Sequence, residues 1–155
     1  MAEPSMTWNA RMCGALLLIL TSAAMADETR GTAEEAQAMV ARAIAAYDAQ
    51  GDAVFAAMSP PSTEFRDRDL YVFVIGPDNI EVASGQDASR IGLDVAQTVD
   101  AAGKAIGKEM IEKADEQGAW FDYVWRDPLT QKDVQKTSWI IRHDGYIFGC
   151  GIYKP

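Results

Sequence analysis

The stretch VQKTSWIIRHDGYIFGCGIYK, residues 134–154, decides the fold. Two runs rich in β-branched and aromatic residues flank Asp144-Gly145. A two-residue Asp-Gly loop is a strong hairpin signal, because a type I′ turn needs positive φ at both central positions. The short loop also fixes the register: His143 faces Tyr146, and pairing runs outward through Arg142 with Ile147, Ile140 with Gly149, Ser138 with Gly151 and Lys136 with Tyr153. Strand alternation then sorts the faces. Thr137, Trp139, Ile141, Phe148, Cys150 and Ile152 make an apolar core face. Lys136, Ser138, Ile140, Gly149, Gly151 and Tyr153 make the other, where two glycines leave a lane without side chains that something can approach closely.

Upstream, residues 119–126 read as a further strand joined through a loop at Pro128. Pairing Asp127 with Val134 across that loop sets Trp125 opposite Lys136, Tyr123 opposite Ser138 and Phe121 opposite Ile140. Residues 70–75 and 80–84 form an earlier hairpin turning at Gly76-Pro77-Asp78-Asn79. Residues 85–118 return to a helical pattern, with a loop or short turn around Arg90-Ile91-Gly92-Leu93 and then Ile106, Met110, Ile111 and Ala114 on one side. Near the start, Ala36, Met39, Val40, Ala43, Ile44 and Tyr47 give one apolar stripe to a helix over 32–50. Thr32 and Glu35 have capping-box spacing before it, Gly51 ends it, and a short helical piece over 52–58 stops at Pro60-Pro61. The order α, α, ββ, α, βββ predicts an α+β domain, a long helix packed on an antiparallel sheet.

Ahead of that helix, Arg11, the apolar run 12–20 and the small-residue ending Ala24-Met25-Ala26 predict a signal peptide over residues 1–26 and a single domain over 27–155. The apolar run falls short of the roughly 20 residues of a bilayer crossing, so no stable membrane insertion is expected after cleavage. Glu3 and the absence of a basic residue before Arg11 leave Met6 as an alternative start to Met1. A periplasmic or secreted location follows. Cleavage removes Cys13 and leaves Cys150 as the one thiol, so no internal disulfide is available. The formal charge of −9 is unchanged by it, since Glu3 and Arg11 cancel, and such a domain is repelled by phosphate backbones. Nucleic acid is excluded as an expected partner.

Tyr123, Trp125, Lys136, Ser138 and Tyr153 thus converge around a hollow floored by Gly149 and Gly151. Aromatic walls, hydroxyls and one cation suit a small organic anion such as a carboxylate. The competing reading has Lys136 lying over Trp125 on a solvated face. A filled hollow with an exposed apolar patch above about 400 Å² would instead mark a partner-binding domain. Two carboxylates inside the hollow, from Asp122 or Asp100, would mark a small cone-shaped enzyme. No catalytic residue is expected: His143, the single histidine, flanks the turn, and Cys150 has no base beside it. No metal-ligand spacing or cofactor motif is present.

GAWFDYVWRDP at 118–128, KTSW at 136–139 and GCGIY at 149–153 together resemble the ending of single Cache domains of the second type, extracytoplasmic sensors of chemotaxis receptors and histidine kinases. Ile91-Gly92, residues 100–104 and the first helix also stand in family order, so the resemblance covers 32–155. It implies a PAS-like fold with a long N-terminal helix behind a five-stranded antiparallel sheet and a small-molecule pocket on the other side. Tyr123, Trp125, Lys136 and Tyr153 fall on motif positions, while Trp139 replaces the usual tyrosine. With no transmembrane helix or output module expected around the domain, its occupancy would pass to a separate membrane receptor or histidine kinase.

Overall fold

Thr32 caps the first helix as its spacing predicts. In the computed structural model, which describes residue 1 and residues 29–154, α1 spans Ala33–Gln50. Thr32 Oγ1 accepts from the Glu35 amide at 3.2 Å, and the Glu35 carboxylate accepts from the Thr32 amide at 2.8 Å. At the other end Gly51 takes φ +63°, a conformation that costs glycine little. A 3₁₀ turn, Gly51–Ala56, stands where a short helix was expected. The predicted signal peptide lies outside the described residues, Met1 apart.

Six strands follow: β1 (Arg66–Asp67), β2 (Leu70–Ile75), β3 (Glu81–Ser84), β4 (Ala119–Arg126), β5 (Asp133–His143) and β6 (Tyr146–Lys154). All pairings are antiparallel, in the order β1-β2-β6-β5-β4, with β3 also on β2. The two-residue β1, which has no signal in the sequence, adds to the five expected strands. The Asp144-Gly145 hairpin has the predicted register throughout, His143 with Tyr146 to Lys136 with Tyr153, and both turn residues have positive φ.

The β4–β5 register differs by two residues. Trp125 faces Val134, Tyr123 faces Lys136, and Phe121 faces Ser138. The join is tighter than expected: Asp127 pairs with Lys132 rather than Val134, its amide donating to the Lys132 carbonyl at 2.8 Å, and its side chain braces the short loop that results. Its carboxylate accepts from Leu129 N at 2.9 Å and Thr130 Oγ1 at 2.8 Å, and from Arg30 as well. A two-residue slip preserves the faces and changes only the partners.

The segment 85–118 is far less helical than its pattern predicts. Only α2 (Ile106–Lys113) is a full helix, preceded by 3₁₀ turns at Ala88–Arg90 and Val95–Gln97. Asp87, Asp94 and Asp100 accept hydrogen bonds from the amides of Ser89, Ala96 and Ala102, which a continuing helix would have used. Short acidic side chains compete with helix in this way.

Two clusters pack on opposite faces of the sheet. Met39 and Val40 of α1 pack on Phe148 and Cys150 of the sheet, with Trp139, Ile141 and Ile152 beside them. Phe73, Ile75, Phe121, Tyr123 and Ile140 meet Val95, Ile106 and Met110 on the other face. The first helix therefore backs the sheet, and segment 85–118 roofs its opposite side.

Candidate ligand cavity

Beneath that roof lies a cavity of about 50 Å³. Its floor is Tyr71, Phe73 and Ile75 of β2, its back wall Tyr123, Trp125 and Lys136, and its roof Val95, Thr98 and the start of α2. Glu81, Ser84, Gln86 and Arg90 close the side next to β3. Gly107 lets the roof come down, because a β-carbon there would overlap the Val95 carbonyl.

Among the described residues Lys136 is the largest fully buried side chain, 1 % exposed. It starts on β5 and passes over β6 at Gly151, where a β-carbon would strike its Cε. Its tip reaches β2, where Nζ donates to Tyr71 Oη at 2.6 Å and stands 3.9 Å from that ring's centre. The Tyr153 ring lies 4.8 Å from Nζ and the Tyr123 ring 5.9 Å. Among the described residues no carboxylate forms an ion pair with it. Burial above all brings its pKa from 10.5 down to about 7, with Arg90 acting the same way and Cys150, Asp69 and Glu81 opposing the fall.

Glu81 and Arg90 form the other charged pair. Arg90 Nε and Nη2 both reach Glu81 Oε2 at 2.8 Å, and the guanidinium lies 5.0 Å from the centre of the Trp125 ring. Burial raises the Glu81 pKa, and Arg90 opposes the rise. The pair sums to zero, so Lys136 sets the net charge of the cavity.

Three of the site residues expected from the sequence, Tyr123, Trp125 and Lys136, line this cavity. Ser138 and Tyr153 stand behind them: Ser138 Oγ bonds Tyr123 Oη at 2.9 Å, and Tyr153 Oη bonds Tyr71 Oη at 2.8 Å. Gly149 and Gly151 are not its floor. The Phe73 ring covers Gly149, and the Lys136 stem with Ser138 Oγ covers Gly151. The lane does admit a close approach, but by the protein's own side chains. Lys136 accordingly lies over Tyr71 rather than over Trp125, whose ring takes Arg90 instead.

Tyr71, Glu81 and Arg90 have no distinct signal in the sequence. LYVFVI is apolar on both faces of β2, and Arg90 opens a stretch that reads only as a loop or short turn. Asp100 and Asp122 are spent elsewhere. Asp100 accepts from the amides of Ala102, Lys104 and Val124, while Asp122 is exposed beside Lys154 Nζ at 3.1 Å. On the surface, the hydrogen-bonding atoms of His143 and Asp48 lie 2.6 Å apart.

Residues 6–153 match the family model described as Single Cache domain 2. The chain belongs to this family. Solved structures agree on the fold of this Cache domain. A methyl-accepting chemotaxis protein from Vibrio parahaemolyticus RIMD 2210633 aligns at TM-score 0.58 and 16 % identity over 77 % of this chain and 86 % of that one. The periplasmic sensor domain of a chemotaxis protein gives 0.57 and 21 %, over 79 % and 90 %. A Cache chemosensory domain described for its carboxylic acid recognition gives 0.57 and 20 %, over 79 % and 92 %. No curated protein matches the chain significantly.

Proposed function

We propose that this Cache domain is an exported receptor for a small monocarboxylate, and that it passes its occupancy to a separate signalling partner. The observation carrying the proposal is Lys136, a buried cationic group at the cavity wall with no carboxylate of its own. Buried charges are normally paired, and an unpaired ammonium in a low-dielectric site is costly. A ligand carboxylate is the missing partner.

Charge and volume narrow the ligand. Glu81 cancels Arg90, which leaves room for one negative charge. At about 10–15 Å³ for each water centre, the cavity holds roughly four water-sized groups, the scale of acetate, propionate or pyruvate. Tyr71, Phe73 and Trp125 offer apolar and aromatic surface to the short carbon chain. The likeness to a Cache domain described for carboxylic acid recognition supports the same reading, and chemotaxis-protein neighbours support a periplasmic sensory setting. Glu81 is the one carboxylate lining the cavity among the described residues, and its engagement with Arg90 favours binding over two-carboxylate catalysis.

Thermal denaturation of residues 27–155 against a panel of monocarboxylates, dicarboxylates and amines tests the proposal. A ligand at a hundred times its Kd adds about 2.7 kcal/mol, a rise of several degrees for a domain of this size. A Tm rise confined to small monocarboxylates is expected. No rise with any of them at millimolar concentration overturns the reading.

A further inference from the structure

The hydroxyl chain behind Lys136 has a direction. Tyr153 Oη donates its one hydrogen to the Arg126 carbonyl at 2.9 Å. It must therefore accept from Tyr71 at 2.8 Å, and Tyr71, its own hydrogen spent, accepts from Lys136 at 2.6 Å. One N–H of Lys136 is committed to Tyr71 in either protonation state. As an ammonium, the group has N–H bonds left to offer a ligand in the cavity it lines; as an amine, it has its lone pair.

We propose that Lys136 is a nucleophile as well as an anchor, and that it captures small 2-oxo acids reversibly as an imine on Nζ. The inference rests on the carboxylate-binding reading of the same cavity. Desolvated lysines serve as Schiff-base formers because burial frees the amine near neutral pH, and burial holds this one near 7.

The step balances without another reactant. The Nζ lone pair forms a bond to the keto carbon, and the carbonyl π pair moves to oxygen, which takes one amine hydrogen. The C–O bond then breaks, the second amine hydrogen leaves with that oxygen as water, and a C=N bond remains. Protonation of the imine restores a positive charge beside the ligand's own carboxylate, so the buried site ends neutral. The tyrosines hold Nζ still and stay un-ionised, since burial raises the pKa of Tyr71 and Tyr153 well above its ordinary value.

Reductive trapping tests this. The domain is incubated with pyruvate and cyanoborohydride at neutral pH, and the modified peptide is located by mass spectrometry. One reduced pyruvate adduct at Lys136 is expected, with none from acetate or propionate. Lys136→Arg, which keeps the charge without a condensable amine, should lose it; if that variant does not fold, the peptide map of the wild type decides alone. A pyruvate-dependent Tm rise with no adduct, or with adducts only on exposed lysines, overturns the covalent step and leaves carboxylate binding standing. An adduct at Lys136 without any Tm rise from acetate or propionate supports the covalent step and counts against simple carboxylate binding. Neither adduct nor shift overturns both.

Discussion

Arg30 and Asp127, 97 positions apart, are joined by two hydrogen bonds of 3.0 and 2.7 Å, and the same guanidinium reaches Asp69 at 3.1 Å. Asp127 and Asp69 are both almost wholly buried. The cluster ties the segment ahead of α1 to the β4–β5 loop and to the entry of β2. Removing one partner of such a pair strands the other, so Asp127→Ala is expected to lose about 3 kcal/mol in urea denaturation at neutral pH. A loss below about 0.5 kcal/mol, the usual range for surface changes, would show that the cluster is not structural.

Acid unfolding follows from the same pair. Arg30 holds the Asp127 carboxyl well below the usual carboxylate range. A depressed folded pKa gives stability that is complete above the unfolded value of about 3.9 and is lost as pH falls below it. Asp127→Asn should therefore cost most at neutral pH and progressively less toward pH 2. A difference from wild type that is constant across the acid limb would contradict the assignment.

Lys136→Met is expected to abolish the carboxylate-induced Tm rise while the ligand-free domain stays as stable or becomes more so, because an unpaired buried cation gives way to an apolar chain of similar length. The pH dependence has a definite sign. With the folded pKa at about 7 and the unfolded value at 10.5, the unfolded state holds the extra proton between them. Ligand-free stability thus gains from this group as pH rises from 7 toward 10.5. Carboxylate affinity runs the other way, flat just below pH 7 and falling by up to about tenfold per pH unit above it. Calorimetry in buffers of different ionisation enthalpy should show proton uptake on binding at pH 8, and none at pH 8 would rule out Lys136 as the anchor.

Glu81→Gln removes the charge that silences Arg90. The cavity then carries a second positive charge, and preference is expected to move from monocarboxylates toward the smallest dicarboxylates by about tenfold, roughly the 1.4 kcal/mol of one modest ionic contact. Competition between propionate and malonate in the variant and the wild type measures it; an unchanged ratio would mean that Arg90 does not face the ligand.

The hairpin at Asp144-Gly145 is legible in sequence because a two-residue turn leaves no freedom in register, and everything on β5 and β6 inherits that certainty. The β4–β5 join is six residues long and its composition names no single turn, so its register depends on where the loop closes, here through the Asp127 amide on the Lys132 carbonyl with the Asp127 carboxylate held by Arg30. The site divides in the same way. Lys136, Tyr123 and Trp125 are readable from strand alternation. Tyr71 is not, since β2 is buried on both sides and offers no polar face to orient it. Arg90 and Glu81 meet through the 85–93 loop, whose aspartate turns carry no periodic signal.

The bare position at Gly151 is, in effect, a ruler. Because no side chain rises there, the Lys136 stem lies flat against the sheet and its tip stops at Tyr71. A single methyl group at 151 would lift the stem toward the roof and shorten the longest ligand the cavity admits, without touching that ligand. In the receptor proposed above, chain-length selectivity would thus be written on the far side of the lysine, in a place that a survey of ligand-contacting residues would pass over.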